Sequence, residues 1–168
     1  MDTIFDERGR TALHYACASG NVEEWESLKR TQKMYVNAKD FSGATPLMLT
    51  AHSGNLYLIT QLIDGGANIN DSDNEGKTAL FYAIQAGKVE IARKLLHSGA
   101  IVNKQDYKGN TPLMQTVRCS SLPLLELLME YGADVEIETK EGDTALRLAD
   151  NAGSPSIVES LRPYVKIV

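Results

Sequence analysis

A short pattern, Gly-x-Thr-x-Leu, returns five times along this chain, at Gly9/Thr11/Leu13, Gly43/Thr45/Leu47, Gly76/Thr78/Leu80, Gly109/Thr111/Leu113 and Gly142/Thr144/Leu146. The glycines step by 34, 33, 33 and 33 residues. A fixed period of this length marks units that each hold one supersecondary element, too small to bury its own apolar face, so stacked neighbours share a continuous core. The period therefore predicts a quasi-one-dimensional stack and places function on an extended surface.

The third unit shows how residues become a layer. Thr78 is expected to cap a helix over about 78–86, with Ala79, Leu80, Ala83 and Ile84 on one face and Gly87 ending it. After a turn, Val89, Ile91, Ala92, Leu95 and Leu96 form a second apolar stripe at helical spacing, closed by Gly99. Between units, Val102-Asn103-Lys104-Gln105-Asp106-Tyr107-Lys108-Gly109 joins a short extended stretch to a turn, because Gly accepts positive φ and Asp bonds its own backbone. Such segments are expected to project as hairpin-like fingers near residues 34–43, 68–76, 101–109 and 134–142. Pro46 and Pro112 fall at the first helical position, where no backbone donor is lost. The small residues Ala16, Ala51 and Ala83 allow close approach of the layers on one side, which is expected to curve the stack.

These residues resemble the ankyrin repeat family, whose signature centres on Thr-Pro-Leu-His and closes on Gly-Ala-Asp-Val-Asn. The matching segments run from Thr11-Ala12-Leu13-His14 through Thr45-Pro46-Leu47-Met48, Thr78-Ala79-Leu80-Phe81 and Thr111-Pro112-Leu113-Met114 to Thr144-Ala145-Leu146-Arg147. The closings are Gly66-Ala67-Asn68-Ile69-Asn70, Gly99-Ala100-Ile101-Val102-Asn103 and Gly132-Ala133-Asp134-Val135-Glu136. The resemblance implies an all-α repeat solenoid, an ankyrin-type stack of five helix-turn-helix units with projecting loops. The expected organisation is a single domain over 1–168 with units at about 6–39, 40–72, 73–105, 106–138 and 139–168. The first and last units depart from the pattern as caps do. Residues 31–34, Thr-Gln-Lys-Met, replace the Gly-Ala closing, Glu24 and Ser27 dilute the first unit's second stripe, and Arg162-Pro163-Tyr164 stops the last helix. These departures fit a complete domain.

Charge narrows the partners. The formal net charge is -5 and the pI near 5.2, which argues against a phosphate-binding surface, since nonspecific nucleic-acid affinity needs clustered Lys and Arg. No apolar run approaches the roughly 20 residues that span a bilayer, and the N-terminus lacks a basic-then-apolar signal pattern. The expectation is a monomer in the cytoplasm or nucleus that neither binds nucleic acid nor inserts in a membrane. Cys17 and Cys119 lie about three repeats apart, beyond disulfide reach at ~10 Å per layer. Both are read as small, mostly buried apolar residues.

Catalysis finds little support. His14, His52 and His97 fall in different units, and no Cys-x-x-Cys, His-x-x-His or Glu-x-x-His spacing gathers metal ligands. The resemblance gives His14 a structural hydrogen-bonding role. Asp40, Asp73 and Asp106 stand one per layer, too regularly for a catalytic pair, and are read as turn-fixing residues. No phosphate-cradling glycine motif is present. The chain is expected to be no enzyme and to need no cofactor or metal.

Finger tips are different, because the layers do not need their side chains. They read Asp6-Glu7-Arg8, Asp40-Phe41-Ser42, Asp73-Asn74-Glu75, Asp106-Tyr107-Lys108 and Thr139-Lys140-Glu141, with a middle residue that varies freely. Phe41 and Tyr107 are read as contact aromatics, since aromatic side chains dominate interface hot spots. By resemblance, such stacks hold protein partners in the groove made by fingers and first helices. Here that surface comprises Phe41, Asn74, Glu75, Lys77, Tyr107, Lys108 and Lys140, with His52, Gln85 and Arg118 near the ends of first helices. The implied function is an interaction module or scaffold for a protein or peptide. The alternatives are the targeting part of a larger protein, or a substrate of an asparaginyl hydroxylase at Asn70 and Asn103, which follow Leu62 and Leu95 by eight residues. Two smaller features stand apart: Leu127 and Tyr131, an i, i+4 pair read either as an apolar patch on the back or as extra packing against the last unit, and Ser120 where other units end their first helix with Gly.

Overall fold

The computed structural model describes residues 5–31 and 35–165. Residues 32–34, most of the stretch that replaces the first Gly-Ala closing, lie outside the described residues. Ten α-helices and no strand occur among those described: α1 (Ala12–Ser19), α2 (Val22–Thr31), α3 (Pro46–Ser53), α4 (Leu56–Asp64), α5 (Ala79–Gln85), α6 (Val89–His97), α7 (Pro112–Arg118), α8 (Leu122–Glu130), α9 (Ala145–Asn151) and α10 (Pro155–Leu161). A 3-10 turn over Arg162–Tyr164 follows the last. No helix among them is long and apolar enough to cross a membrane.

The chain divides between Ala100 and Ile101 into two compact units. In the first unit α1, α3 and α5 pack side by side, and each packs on its own second helix, α2, α4 or α6. In the second unit α7 packs on α9, with α8 and α10 as their partners. Helices this short do not persist alone in water. Burial of the motif leucines holds them: Leu13, Leu47, Leu80 and Leu113 are all in the core, and Leu146 in the last repeat is only half-buried. Ala16, Ala51 and Ala83 are fully buried.

Helix starts follow the Thr of the motif. Thr45 accepts a hydrogen bond from the Met48 amide at 3.4 Å, and Thr111 one from Met114 at 3.3 Å, with Pro46 and Pro112 filling the first helical position. Thr144 does the same for Arg147. Thr78 departs from expectation, because α5 runs only over Ala79–Gln85 and the hydroxyl makes no capping bond. Its ψ of 173° is the most extended of the five motif threonines. At the other end, Ser120 takes the place that Gly20, Gly54, Gly87 and Gly153 hold elsewhere and adopts a φ of 50°. A side chain in this left-handed region costs about 1 kcal/mol or more.

Each finger tip is a turn fixed by one carboxylate. The Gly43 amide donates to Asp40 O at 2.8 Å and the Asp40 amide to Ala44 O at 3.0 Å. Gly43, at φ 80°, makes the bulge that lets the chain reverse. Asp40 Oδ1 accepts from the Ser42 and Ala44 amides at 2.9 and 3.0 Å. Asp6, Asp73 and Asp106 repeat the arrangement, and Thr139 Oγ1 replaces the carboxylate in the last finger. The Asp array is therefore turn chemistry, as its spacing indicated.

Two expectations are corrected. Cys119 is exposed, whereas Cys17 is buried. Counted in the motif's steps of 34, 33 and 33 residues, Cys119 falls two positions past the counterpart of Cys17 and caps the end of α7. Leu127 is 1% exposed, so it packs inside the second unit and forms no patch on the back with Tyr131.

Candidate functional site

Adjacent fingers within a unit are tied through the main chain. The Phe41 amide donates to Arg8 O and the Asn74 amide to Ser42 O, both at 2.9 Å, and in the second unit the Lys140 amide donates to Lys108 O at 3.0 Å. The middle residue of one finger thereby lies across the glycine of the finger before it. A Cβ on Gly9 would stand 2.5 Å from the Phe41 ring, and one on Gly43 would stand 2.7 Å from the Asn74 nitrogen. Phe41 is nevertheless 73% exposed, with one ring face on Gly9 and the rest open.

In the first unit an open groove of about 420 Å³ runs between the fingers and first helices. Five of the residues expected at the site surround it: Asn74, Glu75, Lys77, His52 and Gln85. Phe41 stands outside it, although its neighbour Ser42 is a wall. Sequence reasoning missed Leu49, Tyr82 and Asp73, which also line it. Their signal lay in equivalent positions: Tyr15, Leu49 and Tyr82 occupy the same place in successive first helices and none is fully buried.

The finger carboxylates have a second use there. While one oxygen fixes the turn, the other reaches a side chain on the groove side: Asp73 Oδ2 accepts from the Tyr82 hydroxyl at 2.9 Å, and Asp6 Oδ2 from that of Tyr15. Asp40 Oδ2 instead pairs with Arg10 Nε at 2.9 Å, and the Arg10 guanidinium carbon lies 5.9 Å from the Tyr15 ring centre. Burial opposes the Asp40 charge, but Ser42, Arg10 and the turn amides outweigh it and hold the carboxyl below its ordinary value. Burial and the Asp73 hydrogen bond push the Tyr82 hydroxyl well above the ordinary phenol range. Glu75 pairs with Lys77 at 2.5 Å.

In the second unit Tyr107 is 61% exposed, and Lys108 and Lys140 are exposed beside it in sequence order of fingers. Arg118 donates to Asn110 Oδ1 at 2.9 Å, and Asn110 in turn donates to both oxygens of Asp106. Asn70 and Asn103 are half-buried, and their side-chain amides donate to Gly99 O at 3.0 Å and Gly132 O at 3.3 Å.

His14 is fully buried on the other side of the finger base. Its Nδ1 accepts from the Thr11 amide at 3.1 Å, so the proton sits on Nε2 and points to Ala44 O at 3.3 Å. This is a structural bridge between two repeats. Among the described residues no group of three His, Cys, Asp or Glu side chains comes together as a metal would need.

Three family models match: ankyrin repeats in three copies over residues 26–106, ankyrin repeats in many copies over 96–149, and the single ankyrin repeat over 8–38. The chain belongs to the ankyrin repeat family. A comparison with curated proteins gives no match. Ankyrin repeats are generally protein–protein interaction modules on a typically non-enzymatic fold. The ankyrin pattern accounts for the Thr caps, the His14 bridge and the finger turns. It leaves open the residues that line the groove.

Proposed function

We propose that this ankyrin chain is a non-enzymatic interaction module that recognises a protein or peptide partner on the face made by its fingers and first helices. The observation that supports this most is the first-unit groove, where Asn74, Glu75, Lys77, His52 and Gln85 surround an apolar floor of Leu49 and Tyr82. Polar groups ringing a small apolar centre suit a protein surface better than a polyanion. The walls are held in place before any partner arrives, which lowers the ordering cost of binding. In the second unit, Tyr107, Lys108, Lys140 and Arg118 supply the corresponding finger and first-helix side chains.

The test is an affinity enrichment read by mass spectrometry, with wild type beside Gln85→Trp, which fills the groove, and Phe41→Ala, which truncates the neighbouring finger. A partner lost with Gln85→Trp and weakened by about 1–3 kcal/mol with Phe41→Ala is the expected result. Glu90→Lys, on the exposed side of α6, serves as the control. A partner kept by both groove variants and lost with Glu90→Lys would move the site to the outer helices.

A second reading, suggested by Leu62/Asn70 and Leu95/Asn103 spacing, makes the chain a substrate of an asparaginyl hydroxylase. Both side-chain amides hold the next repeat, so modification requires the finger to release them. Intact mass after exposure to such an enzyme decides it, by the gain of one or two oxygens or none.

A further inference from the structure

We infer that the first-unit groove accepts a basic side chain, arginine above all, from the protein partner; the inference rests on the interaction reading just given. The first repeat carries the template. There Arg10 runs from its own finger to the carboxylate of the next, Nε to Asp40 Oδ2 at 2.9 Å, with its guanidinium over the Tyr15 ring. A cation is thus held between a first-helix ring and the following finger's Asp.

One repeat later the counterparts are Ala44 for Arg10, Leu49 for Tyr15 and Asp73 for Asp40. Ala44 ends at its Cβ, so this position provides no cation, and the one basic side chain among the groove's lining residues besides His52, Lys77, is paired with Glu75. The groove opens here, with Leu49 and Asp73 among its lining residues. The third repeat again has its own cation, since Lys77 stands at the Arg10 position and turns to Glu75. The second repeat is therefore the one in the first unit with no basic residue at this position, and we assign the place to a cation of another molecule.

The surroundings fit that occupant. Tyr82 donates its proton to Asp73 Oδ2, and both residues line the groove; the phenol oxygen and the carboxylate each keep further acceptor capacity. Ser42 donates its own hydroxyl proton to Asp40 at 2.5 Å, so its oxygen also accepts. Asp73 and Glu75 against Lys77 leave the walls with one formal negative charge. Leu49 and the Tyr82 ring suit an aliphatic stem. Arginine matches this better than lysine, because its planar fork serves several spread acceptors at once and stacks on an aromatic face.

The experiment titrates the 15N-labelled full chain with N-acetyl-arginine methylamide, beside the norleucine and glutamate analogues. The arginine probe is expected to shift the amides of Leu49, Glu75 and Tyr82 and to bind at least about threefold more tightly than norleucine, with glutamate weakest. Glu75→Lys is expected to weaken the arginine probe by about tenfold, and Lys77→Met, which removes a competing cation, to tighten it by about threefold. Equal binding of all three probes, shifts confined to other surfaces, or indifference to both variants would overturn the inference. If the partner is lost with Gln85→Trp while the arginine probe leaves the groove untouched, the arginine assignment fails and the interaction reading stands. If the probe binds as expected and the partner ignores Gln85→Trp, that reading fails, and with it the assignment of the arginine to the partner.

Discussion

Arg10 and Asp40 join two successive fingers, Nε to Oδ2 at 2.9 Å, with the carboxylate almost wholly buried and the guanidinium partly so. The same carboxylate fixes its own turn through Oδ1. Removing the arginine leaves a buried charge with fewer partners. Arg10→Met is therefore expected to destabilise by about 1–2 kcal/mol, between the values for exposed and fully buried pairs. Because Asp40 is held below its ordinary value, it contributes stability above the unfolded value of about 3.9 that is lost as pH falls through the lower folded one. In Arg10→Met the folded value rises, and acid unfolding is expected to begin at higher pH. Urea midpoints measured across the acid range check both effects.

His14 predicts a loss of stability at milder pH. Burial holds the imidazole below the usual histidine range, against the pull of Ala44 O and Asp40. The unfolded chain takes up this proton near pH ~6.5, before the folded chain does. Between the two values the unfolded state binds more protons, so stability falls as pH drops below ~6.5 and is complete above it. Denaturant midpoints from about pH 7.5 down to about pH 5 are expected to decline, and in His14→Gln this part of the slope is expected to vanish. A flat wild-type profile would place a neutral donor–acceptor pair in doubt.

Gly43 and Gly66 separate two reasons for glycine. Both have positive φ, 80° and 86°. A Cβ on Gly66 meets nothing within 4 Å, but one on Gly43 would press on the Asn74 backbone at 2.7 Å. Gly66→Ala is expected to cost about 1 kcal/mol, the conformational part alone. Gly43→Ala is expected to cost at least about 1 kcal/mol more, because the finger ladder must also shift. Thermal unfolding of the two variants side by side measures the difference.

Leu80→Ala is expected to destabilise by about 2–5 kcal/mol, as a large-to-small change in the core, with Leu47→Ala and Leu113→Ala alike. Leu146 occupies the same motif position in the last repeat but is half-buried, so Leu146→Ala is expected to cost only about 1–2 kcal/mol. Equal losses at Leu80 and Leu146 in denaturant titrations would contradict the burial difference.

Much of this architecture was legible in the sequence because it depends on local chemistry repeated at one period. Thr before Pro46 marks a helix start wherever it stands, and Asp40 four residues before Ala44 closes a turn without help from distant residues. His14 could be placed for the same reason. What escaped depends on contacts between repeats. Nothing near Arg10 in the chain announces that it reaches Asp40 thirty residues on, and nothing local sets Leu49 and Tyr82 apart from the rest of their helices. The spacing of Leu127 allows both a surface patch and internal packing, and the four leucines that α8 buries decide for packing. Cys119 was misplaced by a two-residue drift, enough on a helix to turn a side chain from the core to water.

The link from the Phe41 amide to Arg8 O, repeated from Asn74 to Ser42 O and from Lys140 to Lys108 O, uses atoms that every residue but proline possesses. Registration of one finger against the next thus needs no particular side chain at its centre, although Asn74 adds a bond of its own from Nδ2 to Phe41 O at 2.9 Å, and Glu7, Phe41, Asn74, Tyr107 and Lys140 share one position with little in common chemically. Divergence can proceed there one substitution at a time, each free to alter what the surface greets while the frame beneath keeps its alignment. Alignment of the frame and variety of the surface are, in this chain, carried by different atoms of the same residue.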